Sequence, residues 1–201
     1  QFKSTDSISN SNFKIDLPYT VSFPENSIFF IDDVSIPHSW YVIEAGLNDK
    51  LYVFVASSLV ADSLEQQRAY LIVTIPQGNY VGATLAKAIQ DETNNELLQR
   101  NVPTFIIGAY IRSLNSITLQ STILEWEFEI LTPSDISSNF NGTWEGTPIN
   151  IGNPQDINEV MGNLIGKSGR YSSNFPFRSS GVILQTIRNI YIHSSLGNYG
   201  T

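Results

Sequence analysis

The chain has 201 residues, a formal net charge of −8 from 11 basic and 19 acidic side chains, and no cysteine. That length suits one domain with a single packed core. The charge opposes condensation on a phosphate backbone, and the lack of cysteine excludes disulfides, thiolate metal sites and cysteine nucleophiles.

Strand signals dominate in chain order. Phe13 to Leu17 alternates apolar and polar residues, as a strand with one buried face must, and Ile28 to Ile36, Trp40 to Ile43, Leu51 to Val55 and Tyr70 to Ile75 are β-branched and aromatic runs. The spacing of Val81, Leu85, Ala88 and Ile89 predicts a helix over Val81 to Gln99 with Asn79 as its cap. Strands follow at Phe105 to Ile111, Ile117 to Leu119 and Trp126 to Ile130. A second helix is expected where Asn153 can cap, Pro154 suits the first turn, Ile157, Val160, Met161 and Leu164 form a stripe, and Gly166 closes it. Val182 to Ile192 reads as a last strand, and because the chain stops soon after it, at Gly200-Thr201, truncation at that end is expected. Many short strands with turn residues between them and few helices predict an all-β fold, a jelly-roll β-sandwich with two short inserted α-helices, as one domain over residues 1–201.

No motif for chemistry is complete. Gly162 to Ser168 looks like a phosphate-binding loop, but it has three residues between its glycines instead of four and ends a predicted helix instead of opening one. Glu125, Glu127 and Glu129 share one face of a strand at about 7 Å spacing, which suits two-carboxylate glycoside chemistry. Trp126 and Phe128 point the other way, so a solvated face is the plainer expectation. His38 and His193 have no cysteine to complete a zinc set, and Asp32-Asp33 with Asn48-Asp49 are read as turn formers before calcium ligands. No Gly-x-Ser-x-Gly elbow is present. Catalytic, cofactor and metal residues are therefore expected to be none, and no apolar run reaches the roughly 20 residues of a membrane-spanning helix.

Charge is divided unevenly, −12 over residues 1–159 and +4 over residues 160–201. Within the basic part, Lys167, Arg170 and Arg178 interleave with Tyr171, Phe175 and Phe177, a composition that suits an interface. A loop whose rings fold back on the domain stays open as the other reading. Asn141-Gly142-Thr143 is a glycosylation sequon, meaningful only in a secreted protein.

Asp32-Asp33-Val34-Ser35-Ile36-Pro37-His38-Ser39-Trp40-Tyr41 with Asn48-Asp49-Lys50-Leu51-Tyr52 resembles the penton proteins of Polinton or Maverick elements and related viruses. So do Ile75-Pro76-Gln77-Gly78-Asn79-Tyr80 leading into Leu85, Ile157-Asn158-Glu159-Val160-Met161-Gly162, and Arg188-Asn189-Ile190-Tyr191-Ile192-His193-Ser194. The resemblance implies a single jelly roll in the virion, a structural protein that assembles as a homopentamer at icosahedral vertices beside neighbouring major capsid proteins, with no catalytic residues. Two rival expectations stand beside it. One is a carbohydrate- or receptor-binding β-sandwich of an attachment protein using Trp40, Tyr41, Trp144 and Tyr171. The other is a glycoside hydrolase using Glu127 and Glu129.

Overall fold

An uninterrupted apolar strand needs cover on both of its faces, and β1 (Lys50–Ser57) is such a strand, buried at every position after Lys50. The computed structural model describes residues 22, 24–27, 40–58, 68–149, 155–162 and 169–185. In it, β1 lies between β2 (Arg68–Thr74) and β5 (Trp126–Leu131), antiparallel to both. Successive side chains point to opposite faces, so Leu51, Val53 and Val55 enter one core while Tyr52, Phe54 and Ala56 enter another.

The main core is closed by a second antiparallel sheet, β3 (Ile106–Ile111), β4 (Ser116–Ser121) and β8 (Phe177–Arg178) in that order, together with helix α1 (Gly82–Gln99). The smaller core is closed by helix α2 (Pro133–Phe140) and the hairpin of β6 (Thr143–Trp144) and β7 (Thr147–Pro148). The described strands thus form antiparallel sheets with two helices, an arrangement compatible with a β-sandwich. All of this lies in one compact unit, His38–Ile190; in the other, Gln1–Pro37 with Tyr191–Thr201, the described residues make a single turn in which Ser27 N–H and Oγ both donate to the Pro24 carbonyl.

Helix α1 lies along β3, and two glycines allow it. A Cβ on Gly82 would sit 2.3 Å from the Tyr110 ring, and one on Gly108 would sit 2.7 Å from the Ala86 carbonyl. The approach brings two amides of α1, one turn apart, onto the backbone of β3. Asn94 accepts from Ile106 N–H at 2.7 Å and donates to the Ile106 carbonyl at 2.9 Å, and Gln90 accepts from Gly108 N–H at 2.9 Å. Among the described strands β3 lies at the edge of its sheet, and these bonds satisfy groups on its outer side.

Several expectations need correction. Trp40 to Ile43 forms no strand; Ile43 makes only a bridge with Gly78, and Asn79 accepts from Val42 N–H instead of capping α1, where Thr84 Oγ1 accepts from Val81 N–H. Residues 157–162 form turns, not an α-helix. Asp156 Oδ1 accepts from Asn158 N–H, a local bond that competes with helical pairing, and Gly162 adopts φ +67°. Ile157, Val160 and Met161 are nonetheless buried, because one turn satisfies their spacing as well as a helix does. Residues 182–185 are outside any strand, with Val182 N–H donating to the Asn115 carbonyl and Ile183 N–H to that of Val160. The expected strands at 13–17 and 28–36, the cap Asn153-Pro154, the helix end Leu164 to Gly166 and the remainder of the last strand lie outside the described residues.

Helix α2 was not anticipated, although its signals are local. Thr132 Oγ1 accepts from Asp135 N–H at 3.2 Å while Asp135 Oδ2 accepts from Thr132 N–H at 3.0 Å, a reciprocal cap with Pro133 in the first turn. Asn141 ends the helix at φ +53°, and Glu145 and Gly146, at +49° and +76°, turn the hairpin, as a two-residue connection requires. Because the contact at Gly108 is with backbone, Gly108→Ala should displace α1 and lower stability by about 1–3 kcal/mol, read from the midpoint of urea unfolding.

Candidate functional site

The segment singled out for its arginines and aromatics crosses between the two main sheets. Tyr171 bonds twice to the outer edge of β5, its N–H donating to the Phe128 carbonyl at 2.8 Å and its carbonyl accepting from Phe128 N–H at 2.9 Å. A turn follows, closed by Ser172 N–H donating to the Phe175 carbonyl. Phe177 and Arg178 then pair with Leu119 and Thr118 of β4. The Tyr171 ring packs against Phe128 and, edge to face, against Phe177 at 5.2 Å. Phe177 is fully buried and Tyr171 half-buried, so these two rings fold back on the domain and do not form a surface. Phe175 stands out at 73% exposure and Arg178 is exposed. Lys167 lies outside the described residues.

Arg170 is held within its own domain. Its Nε donates to Glu129 Oε1 at 3.1 Å and its Nη1 lies 3.8 Å from Glu127 Oε2. The two carboxylates therefore do not form an empty solvated row, since a guanidinium bridges their ends. Part of the basic character of residues 160–201 is consumed by this contact. The face they share also carries Phe54 opposite Glu129 and Ala56 opposite Glu127, so an aromatic cluster does lie on the glutamate side, contrary to expectation.

That cluster centres on Trp144. Tyr70 and Phe140 each meet it edge to face at 4.9 Å, and its Nε1–H donates to the Leu71 carbonyl at 3.3 Å. Trp144 is fully buried and cannot stack on a sugar in solution, while Trp40 is part-buried; of the four rings assigned to a glycan-binding role only Tyr41 is exposed. The hairpin bearing Trp144 is tied to the end of α1, where Arg100 meets both carboxylate oxygens of Glu145, Nη2 to Oε2 at 2.6 Å. Hydrogen bonding from Arg100 holds the Glu145 carboxyl below the usual carboxylate range.

A third polar group gathers at the start of β1. Asp49 is buried with Oδ2 3.5 Å from Lys50 Nζ. Asp156 pairs alongside, Lys50 N–H donating to the Gln155 carbonyl and Ile157 N–H to that of Lys50. Burial pushes the Asp156 carboxyl upward, against the hydrogen bonds from Asn158, and burial also raises the Tyr52 phenol, followed by the nearby charges of Asp156 and Asp49. Asn48 is a turn former as expected, accepting from Glu44 N–H and donating to the Val42 carbonyl, and Asp32-Asp33 lies outside the described residues. Among the described residues no group of three or more His, Cys, Asp or Glu side chains is placed to hold a metal ion, and no helix is long and apolar enough to cross a membrane.

These placements separate neighbours in sequence. Phe177→Ala should cost about 3–5 kcal/mol as a core truncation, whereas Phe175→Ala should change stability by about 0.5 kcal/mol or less, both read by chemical denaturation. Asp156→Asn keeps the acceptor for Asn158 N–H but removes the half-buried charge. The parent carboxyl has a raised pKa when folded, so its contribution is fully present below the ordinary carboxylate range and is lost as pH rises from there through the raised value. The stability of the variant relative to the parent should accordingly grow from about pH 4 upward and then level off, measured as unfolding midpoints across pH.

No family model, curated protein or solved structure matches this chain.

Proposed function

We propose that this chain is a structural, non-catalytic capsid protein, a jelly-roll subunit that forms the pentameric vertex of an icosahedral viral shell beside neighbouring major capsid proteins. The observation that carries the reading is how the described surface divides its side chains. Several charged groups are engaged in ties within the domain, Arg170 with Glu127 and Glu129, Arg100 with Glu145 and Lys87 with Asp91. Large apolar side chains, among them Phe105, Ile107, Leu124 and Phe175, are instead exposed. A protein that works through its outer surfaces needs that division. The antiparallel, β-rich fold supports a jelly roll, and the motifs that resemble penton proteins supply the class of assembly.

Sedimentation and native mass measurement at low and high salt, with electron microscopy of the same sample, test this. Five-membered rings are the expected result. A monomer at every concentration and salt overturns it, and saturable glycan binding by that monomer would establish the attachment role instead.

A further inference from the structure

Among the described residues, the second sheet leaves one face open. On the side of β3 away from the core, Phe105, Ile107 and Ala109 are exposed in a row, Phe105 at 48% and Ile107 at 46%. Opposite them on β4 stand Gln120 and Thr118, and Arg178 of β8 lies beyond Thr118 on the same face. The turn after β3 extends the row with exposed Arg112 and with Leu114 at 52%. Its strands and that turn contain two arginines and no acid, in a chain of net charge −8. Aromatic and aliphatic residues with arginine, and few acids, are the composition of a protein contact. At the edge of β3, Asn94 and Gln90 already engage the backbone of Ile106 and the N–H of Gly108, which favours contact through its face.

A surface of matching character lies on the loop before β1. Tyr41 and Leu47 are exposed, at 42% and 55%, around the exposed Glu44, and no basic residue lies between Trp40 and Asp49. The loop is held in shape, Ile43 bonding both ways with Gly78 and Asn48 bridging Glu44 and Val42. These bonds constrain the loop and reduce the entropic cost of recognising it.

We infer that the outer face of β3, with Arg112 at its end, docks on the Tyr41–Leu47 loop of a second copy of this chain, Arg112 of one copy meeting Glu44 of the other. Two different surfaces then meet, so each copy keeps one of each for further neighbours, a contact that a rotation closes into a ring. The docking rests on the proposed self-assembly and names the surfaces that carry it. Apolar burial supplies the affinity and the charge pair sets partner register.

The test compares the full chain with Arg112→Glu, Glu44→Arg, the two combined, and Ile107→Asp, by sedimentation velocity, with unfolding midpoints of the monomers as the control for folding. Each single charge reversal should weaken association by about tenfold or more, the combined variant should recover it, and Ile107→Asp should abolish it while the monomer midpoint stays as in the parent. Single variants that assemble like the parent, or a combined variant that fails to recover, overturn the docking while leaving self-assembly intact. A parent that never assembles overturns self-assembly itself, and the docking with it.

Discussion

Strand β1 is a central strand with no polar face, and the unit around it is organised by that constraint. A sheet strand apolar on both sides exposes a large hydrophobic area unless two separate layers cover it. One layer is the second sheet with α1, which receives Leu51, Val53 and Val55. The other is the piece from Thr132 to Ile149, small and made of short elements, which receives Tyr52, Phe54 and Ala56 and inserts Trp144 as its plug. Such a cap has little stability alone. It depends on β1 and β2 for its core and on Arg100 for a tie to α1, so it should form only once the central sheet exists.

The strands near β1 were legible because their pattern is local: Leu51 to Val55, Tyr70 to Ile75, Phe105 to Ile111 and Trp126 to Ile130 each fall within or overlap an observed strand. So was α1, whose 18 residues give an apolar stripe enough turns to declare itself. The expectation at 153–166 went astray for the converse reason. Ile157, Val160 and Met161 fit one helical turn, but Asp156 engages Asn158 N–H and the turn is not propagated. In α2 and the hairpin, the cap at Thr132 and the turn at Glu145-Gly146 were readable in principle, yet an eight-residue helix and two-residue strands carry too short a period to stand out.

Site residues followed burial, which composition does not reveal. Tyr171, Phe175 and Phe177 are alike as residue types; what separates them is a four-residue turn that sends Phe177 into β8 and leaves Phe175 outside. Arg170 looked like surface charge because its acceptors lie more than 40 positions earlier, on a strand it meets only through the Tyr171 bridge. The open face of β3 was missed because Phe105 to Ile111 is apolar almost throughout. Alternation is what marks a half-exposed strand, and here both halves look like core.

The amide clasp from α1 has a consequence for how the protein behaves at high concentration. An uncovered strand edge invites neighbouring chains to add strands without limit. Asn94 occupies both backbone groups of Ile106 and Gln90 the N–H of Gly108, with side chains that no incoming strand can extend. Growth by backbone pairing is hindered at those positions, where an incoming strand finds its partners already taken.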